Sequence, residues 1–323
     1  LARQCAKFNP QLLVLLDQPE SPLHDLDLEF KEKAISGKFE VVIGDVRNKE
    51  RMHNVYNTFK PQIVFHAAAY KHVPMMENNP SESILTNILG TKICADLASE
   101  FHVEKFVMIS TDKAVNPTNV MGASKRIAEI YRQSLGKNSK TKFITTRFGN
   151  VLGSNGSVIP RFKKQIEEGG PITITHPDIT RFFMTIPEAC QLVLEAGCMG
   201  KGGEIFVFDI GQSVKIVDLA KNMIKLSGLK ENVDIKIVYT GLRPGEKLYE
   251  ELLASSENTL PTHHKQILVG KVREYEFDAV ANFITELITL FDTQNNVLIV
   301  TKMKEIVPEF VSNNSVFQTL DKK

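Results

Sequence analysis

Little in this chain invites a metal, a membrane or a nucleic acid. Its 323 residues hold only four cysteines. Cys5, Cys94, Cys190 and Cys198 are widely spaced and form no metal-type pair. Free thiols in a reducing cytoplasm are the expectation, not a disulfide framework. His263-His264 is an adjacent pair that reads as polar loop rather than metal site. Lys and Arg number 39 against 38 Asp and Glu, a net charge of +1, so there is no global electrostatic case for nucleic acid. Local basic residues can still meet a small anionic ligand. No run of ~18 apolar residues occurs, so no membrane contact is expected from this segment. Secretory signals and internal repeats are absent from the pattern. With 42% hydrophobic and 24% charged residues, the composition fits a globular protein of one large or two modest domains.

What is present centres on one stretch, residues 108–125. The apolar run 105–109 reads as a buried strand. A hydroxyl, a carboxylate and an amine follow at once on Thr111, Asp112 and Lys113. A loop with Asn116, Pro117 and Asn119 leads into a helix from Val120, where Met121 and Lys125 are four apart and share a face. A strand end that delivers such groups to one point is where an open α/β sheet places its chemistry.

The rest of the chain supplies the sheet. Strands are expected at 12–16, 39–43, 62–65, 104–109 and 142–147, with helices at 1–8, 23–34, 50–59, 81–101 and 120–135 between them. In the first helix Cys5 and Phe8 are placed on the inner face. This alternation predicts an α/β fold with a doubly wound, Rossmann-type parallel sheet over residues 1–150. Residues 151–270 read as a smaller α/β substrate-binding part interleaved with the first. Its helices are expected at 157–168, 186–198 and 216–226, and its strands at 172–175, 204–209, 234–239 and 266–269. Residues 271–323 read as a helical extension, with helices at 277–290 and 297–306 and a disordered tail after Asn313.

A dinucleotide fold begins with a strand and a glycine-rich turn that receives a pyrophosphate at a helix N-terminus. This sequence begins inside what would be the following helix. The expectation is an N-terminal truncation that lacks the central strand and binds NAD poorly; tight NAD binding by this chain, measured by calorimetry, overturns it. Asp17 at a strand end can accept hydrogen bonds from an adenosine ribose, or equally cap a helix. No cation follows in Gln18-Pro-Glu-Ser-Pro22, which favours NAD over NADP, with Arg47 leaving NADP open. Ala67, Ala68 and Ala69 are small enough for backbone to pass close to a cofactor, or simply for tight packing.

A hydroxyl at a strand end, then a residue four before a helical Lys, resembles short-chain dehydrogenase/reductase sites. The Tyr of that layout is Met121 here, and a thioether neither takes nor gives a proton. Ser110-Thr-Asp-Lys113 resembles the catalytic segment of nucleotide-sugar 4,6-dehydratases of the extended superfamily. The likeness is to the capsule, O-antigen and glycan-biosynthesis group acting on UDP-N-acetylglucosamine, whose larger members carry Met for Tyr. It runs from residue 1 to about 253 and includes the Arg243-Pro-Gly-Glu-Lys247 element.

That resemblance implies Lys113 as the C5 base, its pKa lowered by burial or by Lys125 as neighbouring cation. It implies Asp112 as the acid at the C6 oxygen, Thr111 at the C4 oxygen and Lys125 on the nicotinamide ribose. Asp45-Val46 would meet the adenine. Lys71 and His72 would border the nicotinamide and sugar nucleotide, although His72 reads equally as an ordinary loop residue. Asn150 would line the sugar-nucleotide entry, Arg181 and Arg243 the diphosphate, and Glu246 the ribose or uridine side. Asn87 is implied as structural. The Met121 variety resembles the retaining branch. A homo-oligomer through the helices 81–101 and 120–135 is implied. So is a cytoplasmic domain whose parent is anchored to the inner membrane through a preceding region. Two rivals stand beside the dehydratase: a UDP-N-acetylhexosamine 4-epimerase, which needs no acid–base pair at C5 and C6, and an inactive truncated sugar-nucleotide-binding paralogue.

Overall fold

The computed structural model describes residues 1–33, 37–251 and 258–321. Strand β1, Leu13–Asp17, pairs in parallel with β2, Phe39–Ile43, which sets Asp17 opposite Ile43. Strands β3 (Ile63–His66), β4 (Lys105–Ile109), β5 (Lys142–Arg147) and β6 (Ile205–Phe208) run parallel in a second sheet. Two antiparallel strands extend it, β7 (Asn258–Pro261) and β8 (Ile267–Lys271), and the order of the six is β7-β8-β6-β5-β4-β3. Among the described residues no hydrogen-bonded ladder joins β1-β2 to the six-stranded sheet. The doubly wound α/β class is thus present in two blocks, and β3, β4, β5 and β6 end on the same side of their sheet.

Strand β4 is apolar because it is covered on both faces; Phe106, Val107 and Met108 are fully buried. On one face lie α3 (Gly90–Glu100) and α4 (Val120–Gly136), whose Ile93, Leu97, Ile127 and Tyr131 share a core with Phe106 and Met108. On the other lies α6 (Ile186–Met199), opened by a reciprocal capping box between Thr185 and Glu188. Its Leu192, Val193 and Ala196 pack on Val107, Ile144 and Phe206. A third core forms where α5 (Val158–Glu167) and α7 (Ile216–Leu226) meet the parallel pair Ile172–Ile174 and Ile237–Tyr239.

Several expectations are corrected. The first helix tightens and stops at Asn9 (φ 48°), so Phe8 is 76% exposed and Ala6 takes the inner position. The helix expected at 81–101 runs from Pro80 to Glu100, but it is not regular throughout. Pro80–Ser83 gives way to a widened turn, Ile84–Leu89, before α3 begins. Asn87 sits in that turn, fully buried, and clamps the Tyr70 backbone with Oδ1 and Nδ2. The strand foreseen from 234 starts only at Ile237, because Asp234 instead closes a turn on the Lys230 amide. The strand Asn258–Pro261 carries no signal that the pattern reading used.

The tail after Asn313 is ordered through Asp321. The Lys304 ammonium gathers Phe310 O, Ser312 Oγ and Asp321 Oδ1. Ser315 Oγ donates to buried Glu77, and Phe317 enters the main core. The C-terminal helices α8 (Phe277–Thr289) and α9 (Asn296–Ile306) join the main core. Their Val280, Ile284, Leu287, Ile299 and Met303 share it with Ile84, Ile88, Ile127 and Tyr131. Among the described residues no helix is long and apolar enough to cross a membrane.

Phe317→Ala tests the ordered tail. A side chain anchored in the core costs about 3 kcal/mol on truncation, read from the urea midpoint, whereas a disordered tail costs nothing.

Candidate active site

The carboxyl ends of the parallel strands bring the chemistry together. Beyond β4, Asp112–Ala114 form a single tight turn. Ser110 N donates to Thr146 O at 2.8 Å and Asp112 N to Phe148 O at 3.1 Å, so the ladder between β4 and β5 continues into the turn. Thr111 Oγ1 accepts from the Lys113 amide and donates to Asp112 Oδ1 at 2.8 Å. Asp112 is fully buried, and its Oδ2 has no hydrogen-bond partner among the described residues.

Helix α4 is seated on this turn without a spacer. A Cβ at Gly122 would lie 2.1 Å from Lys113 O, so only glycine allows the approach. The helix start is satisfied by two side chains. Asn119 Oδ1 accepts from Gly122 N at 2.7 Å, and Glu77 Oε1 from Val120 N at 2.7 Å.

The Lys113 ammonium donates to Asp112 Oδ1 at 3.0 Å and to Asn150 Oδ1 at 3.3 Å. Glu250 Oε1 lies 3.6 Å from it. Burial works to lower its pKa, but the Asp112 and Glu250 carboxylates outweigh burial and the Arg181 charge, so it sits above the ordinary lysine value. The expected depressed Lys113 is thereby corrected, and the cation that faces it is Arg181, not Lys125.

Lys125 is the lysine whose pKa falls. Burial brings it down to about 8 against the pull of Glu129, and its Nζ donates to Ile109 O at 2.6 Å. Met121 is buried in the main core. Beneath the strand end, Glu129 accepts from Ser110 Oγ at 2.6 Å and from both ends of the Arg147 guanidinium. Burial would raise the Glu129 pKa, yet Arg147 and Arg126 hold it down to about 2.

The element Arg243-Pro-Gly-Glu-Lys247 packs against the same place. Gly245 O accepts from Thr118 Oγ1 and Asn119 Nδ2, and Lys247 Nζ donates to Val115 O. Glu246 accepts from the Arg243 side chain and amide. Burial opposes this, but Arg243 and Arg181 keep the Glu246 pKa below its ordinary value. Arg181 spends its donors on Thr180 O, Lys247 O and Leu248 O and faces Glu246 and Glu250, so its fork is taken within the protein. Arg243 stays half exposed. It stands near His72, whose pKa burial, Lys71 and Arg243 together lower. His72 also lies against the glycine-rich loop, since a Cβ at Gly156 would come within 2.6 Å of its ring. Lys71, its own pKa lowered by partial burial, has no hydrogen bond or ion pair among the described residues.

At the other block Asp17 is exposed and accepts only the Gln18 amide, while Gly44 N bonds Asp17 O. Asp45 is paired with Arg47, which also reaches Glu82. Val46 is buried against Gly90. Ala67, Ala68 and Ala69 follow β3 with exposed or half-buried side chains.

The structure thus joins Thr111, Asp112, Lys113 and Asn150, and it sets Arg243 and Glu246 in the adjoining loop with Arg181, from the short strand Thr180–Arg181, facing them. Sequence reasoning missed Glu250, which reaches Lys113 from far along the chain. The only signal was its nearness to the Arg-Pro-Gly-Glu-Lys element.

The family described as "Polysaccharide biosynthesis protein" matches residues 1–272. The chain is 56% identical over 297 residues to the capsular polysaccharide biosynthesis protein CapD of Staphylococcus aureus, covering 91% of this chain and 49% of that one. It therefore spans about half the length of that relative. It is 42% identical over 222 residues to an inverting UDP-N-acetylglucosamine 4,6-dehydratase of Campylobacter jejuni, covering 68% of this chain and 63% of the relative. It is 43% identical over 227 residues to a UDP-glucose 4-epimerase of Rickettsia canadensis, with the same two shares, 68% and 63%.

Lys125→Met tests the depressed lysine. A folded-state pKa of about 8 against an ordinary 10.5 means that the unfolded chain binds the extra proton between those values. Stability of the parent relative to the variant therefore rises with pH across that window, by about 3 kcal/mol in denaturant titrations.

Proposed function

As this chain belongs to the polysaccharide biosynthesis protein family, we propose that its site removes water across C5 and C6 of a UDP-linked N-acetylhexosamine, UDP-N-acetylglucosamine foremost. The product is a 4-keto-6-deoxy sugar nucleotide for a bacterial surface polysaccharide. One observation carries the reading. A buried acid–amine pair, Asp112 and Lys113, stands with Thr111 at the carboxyl end of β4, while the position four before Lys125 is the protonless Met121. A 4-epimerase has no use for that pair.

The residues present fit NAD at its two ends. Asp17 offers a carboxylate oxygen at the strand end for the adenosine ribose, and Arg47, which follows the neighbouring strand β2, is already neutralised by Asp45 and Glu82. That pairing favours NAD over NADP. The alanines after β3 leave room beside the sheet, and Lys125 is placed at the β4 end for the nicotinamide ribose. No G-x-G-x-x-G occurs in these 323 residues to receive the pyrophosphate. When bound, NAD supplies a hydride acceptor at C4 and a donor at C6.

The protein's own groups handle protons and orientation. Thr111 Oγ1, already bonded to Asp112, passes the C4 hydroxyl proton to that carboxylate. Asp112 then gives that proton to the departing C6 oxygen. Lys113 takes the C5 proton, which the developing 4-ketone has made acidic. Lys71, His72 and half-exposed Arg243 form a basic corner for the diphosphate, and Arg181 braces the loop behind them. Asn150 orients Lys113.

Proton NMR of UDP-N-acetylglucosamine incubated with the chain and NAD gives a new C6 methyl signal. Asp112→Asn and Lys113→Ala each reduce that signal's rate by about 100-fold or more. Formation of the C4 epimer without a methyl group would move the assignment to epimerase. Absence of both products, with NAD at a concentration that calorimetry shows to load the site, would leave a sugar-nucleotide-binding protein.

A further inference from the structure

Glu250 is the charged group that the mechanism above leaves idle. Its side chain is 3% exposed, with Oε1 3.6 Å from Lys113 Nζ and 3.8 Å from Arg181 Nε. Its Oε2 is buried with no hydrogen-bond partner among the described residues. A buried carboxylate that leaves an oxygen unsatisfied calls for a functional explanation. Around Lys113 stand Asp112 and Glu250 as anions, Arg181 as a cation and Asn150 as a neutral acceptor. Two carboxylates on one ammonium keep it protonated at rest, and a protonated lysine cannot take the C5 proton.

We propose that Glu250 holds the Lys113 proton during the C5 step. This rests on the dehydratase reading. The proton count then closes. Asp112 receives the C4 hydroxyl proton and becomes neutral. Lys113, having lost that anionic partner, gives a proton to Glu250 Oε1; the N–H bond breaks, its electron pair stays on nitrogen, and an O–H bond forms. The free amine takes the C5 proton. The electron pair left on C5 forms the C5–C6 double bond as the C6–O bond breaks, and Asp112 delivers its proton so that water leaves. Lys113 returns its proton to C5 when C6 is reduced and recovers its own from Glu250. The site ends with the charges it began with. Glu250 acts through Lys113 and is a positioning residue for its proton, with Arg181 holding the carboxylate in place.

The test uses the full chain with NAD in D2O, following deuterium at C5 of UDP-N-acetylglucosamine for the parent, Glu250→Gln and Glu250→Asp. Substrate affinity is read by calorimetry, and Lys113 Nζ by nitrogen NMR. Glu250→Gln binds substrate as the parent does. It exchanges C5 at least tenfold more slowly at pH 7, with a rate that rises about tenfold per pH unit where the parent is flat. Its Lys113 titrates lower than in the parent. Glu250→Asp, which keeps the acid, recovers a flat profile. An unchanged rate and profile in Glu250→Gln, an equal loss at every pH, or an unmoved Lys113 titration overturns the proposal. A parent that incorporates no C5 deuterium overturns the dehydratase reading and this step with it. Exchange by the parent with an indifferent Glu250→Gln overturns this step alone.

Discussion

One buried carboxylate ties the site to its scaffold. Glu129 has no exposure, and it faces two guanidinium groups and a hydroxyl from three directions. Removing a lone carboxylate from water is costly, and the cost is offset only when its oxygens are filled by good donors. Here Arg147 comes from the end of β5, Ser110 from the end of β4 and Arg126 from α4 itself. The three elements that carry Thr111–Lys113, Asn150 and Lys125 are thus fixed to one point. Arg126 also reaches Glu309 beyond α9, which connects the C-terminal helices to the same centre. Such a network is worth having only if complete, since loss of one member strands the others in a medium without water.

Above that anchor the charges alternate. Asp112, Lys113, Glu250, Arg181, Glu246 and Arg243 follow one another at separations of 3.0, 3.6, 3.8, 3.5 and 3.1 Å. The chain runs from the fully buried strand end to a half-exposed arginine. Each member has opposite neighbours, and for Lys113 and Glu246 these outweigh burial. This explains why Lys113 stays above its ordinary pKa while Lys125, with a backbone carbonyl as its only hydrogen-bond acceptor among the described residues, falls below. Two lysines twelve residues apart are tuned in opposite directions by what surrounds them.

The legible parts of the sequence were those whose signal is local. Apolar runs placed β4 and β6 because strands buried on both faces need uninterrupted hydrophobic residues. Phe39–Ile43, Lys142–Arg147 and Ile216–Leu226 fell where the pattern put them. The grouping of Thr111, Asp112 and Lys113 was legible because one strand end delivers all three. What pattern could not supply was partnership over distance. Lys113 was expected to be depressed because burial was visible and Glu250 was not. Arg181 was assigned to a ligand because the carbonyls of Lys247 and Leu248 that occupy it have no sequence signature. The tail after Asn313 looked disordered because its order comes from Lys304, Glu77 and the core around Phe317, not from periodicity.

The same distance effect gives the C-terminal segment a part in the site. Asn313 lies between two loops that no helix or strand connects. Its amide bonds Thr118 O, its carbonyl accepts from Gly245 N, and its Nδ2 donates to Glu246 O. Val311 N adds a bond to Pro117 O. One extended strand of tail therefore stitches the loop that starts α4 to the loop that carries Arg243 and Glu246. A glycine at 245, with φ 76° and no room for a side chain beside Asn119, lets the two come this close. The matched family region ends at residue 272, so this stitch comes from outside it. Turn, helix start and charged loop thus form one body, whose spacing is set by backbone hydrogen bonds rather than by flexible side chains. For chemistry that moves single protons over about 3 Å, that stiffness is the property the site needs.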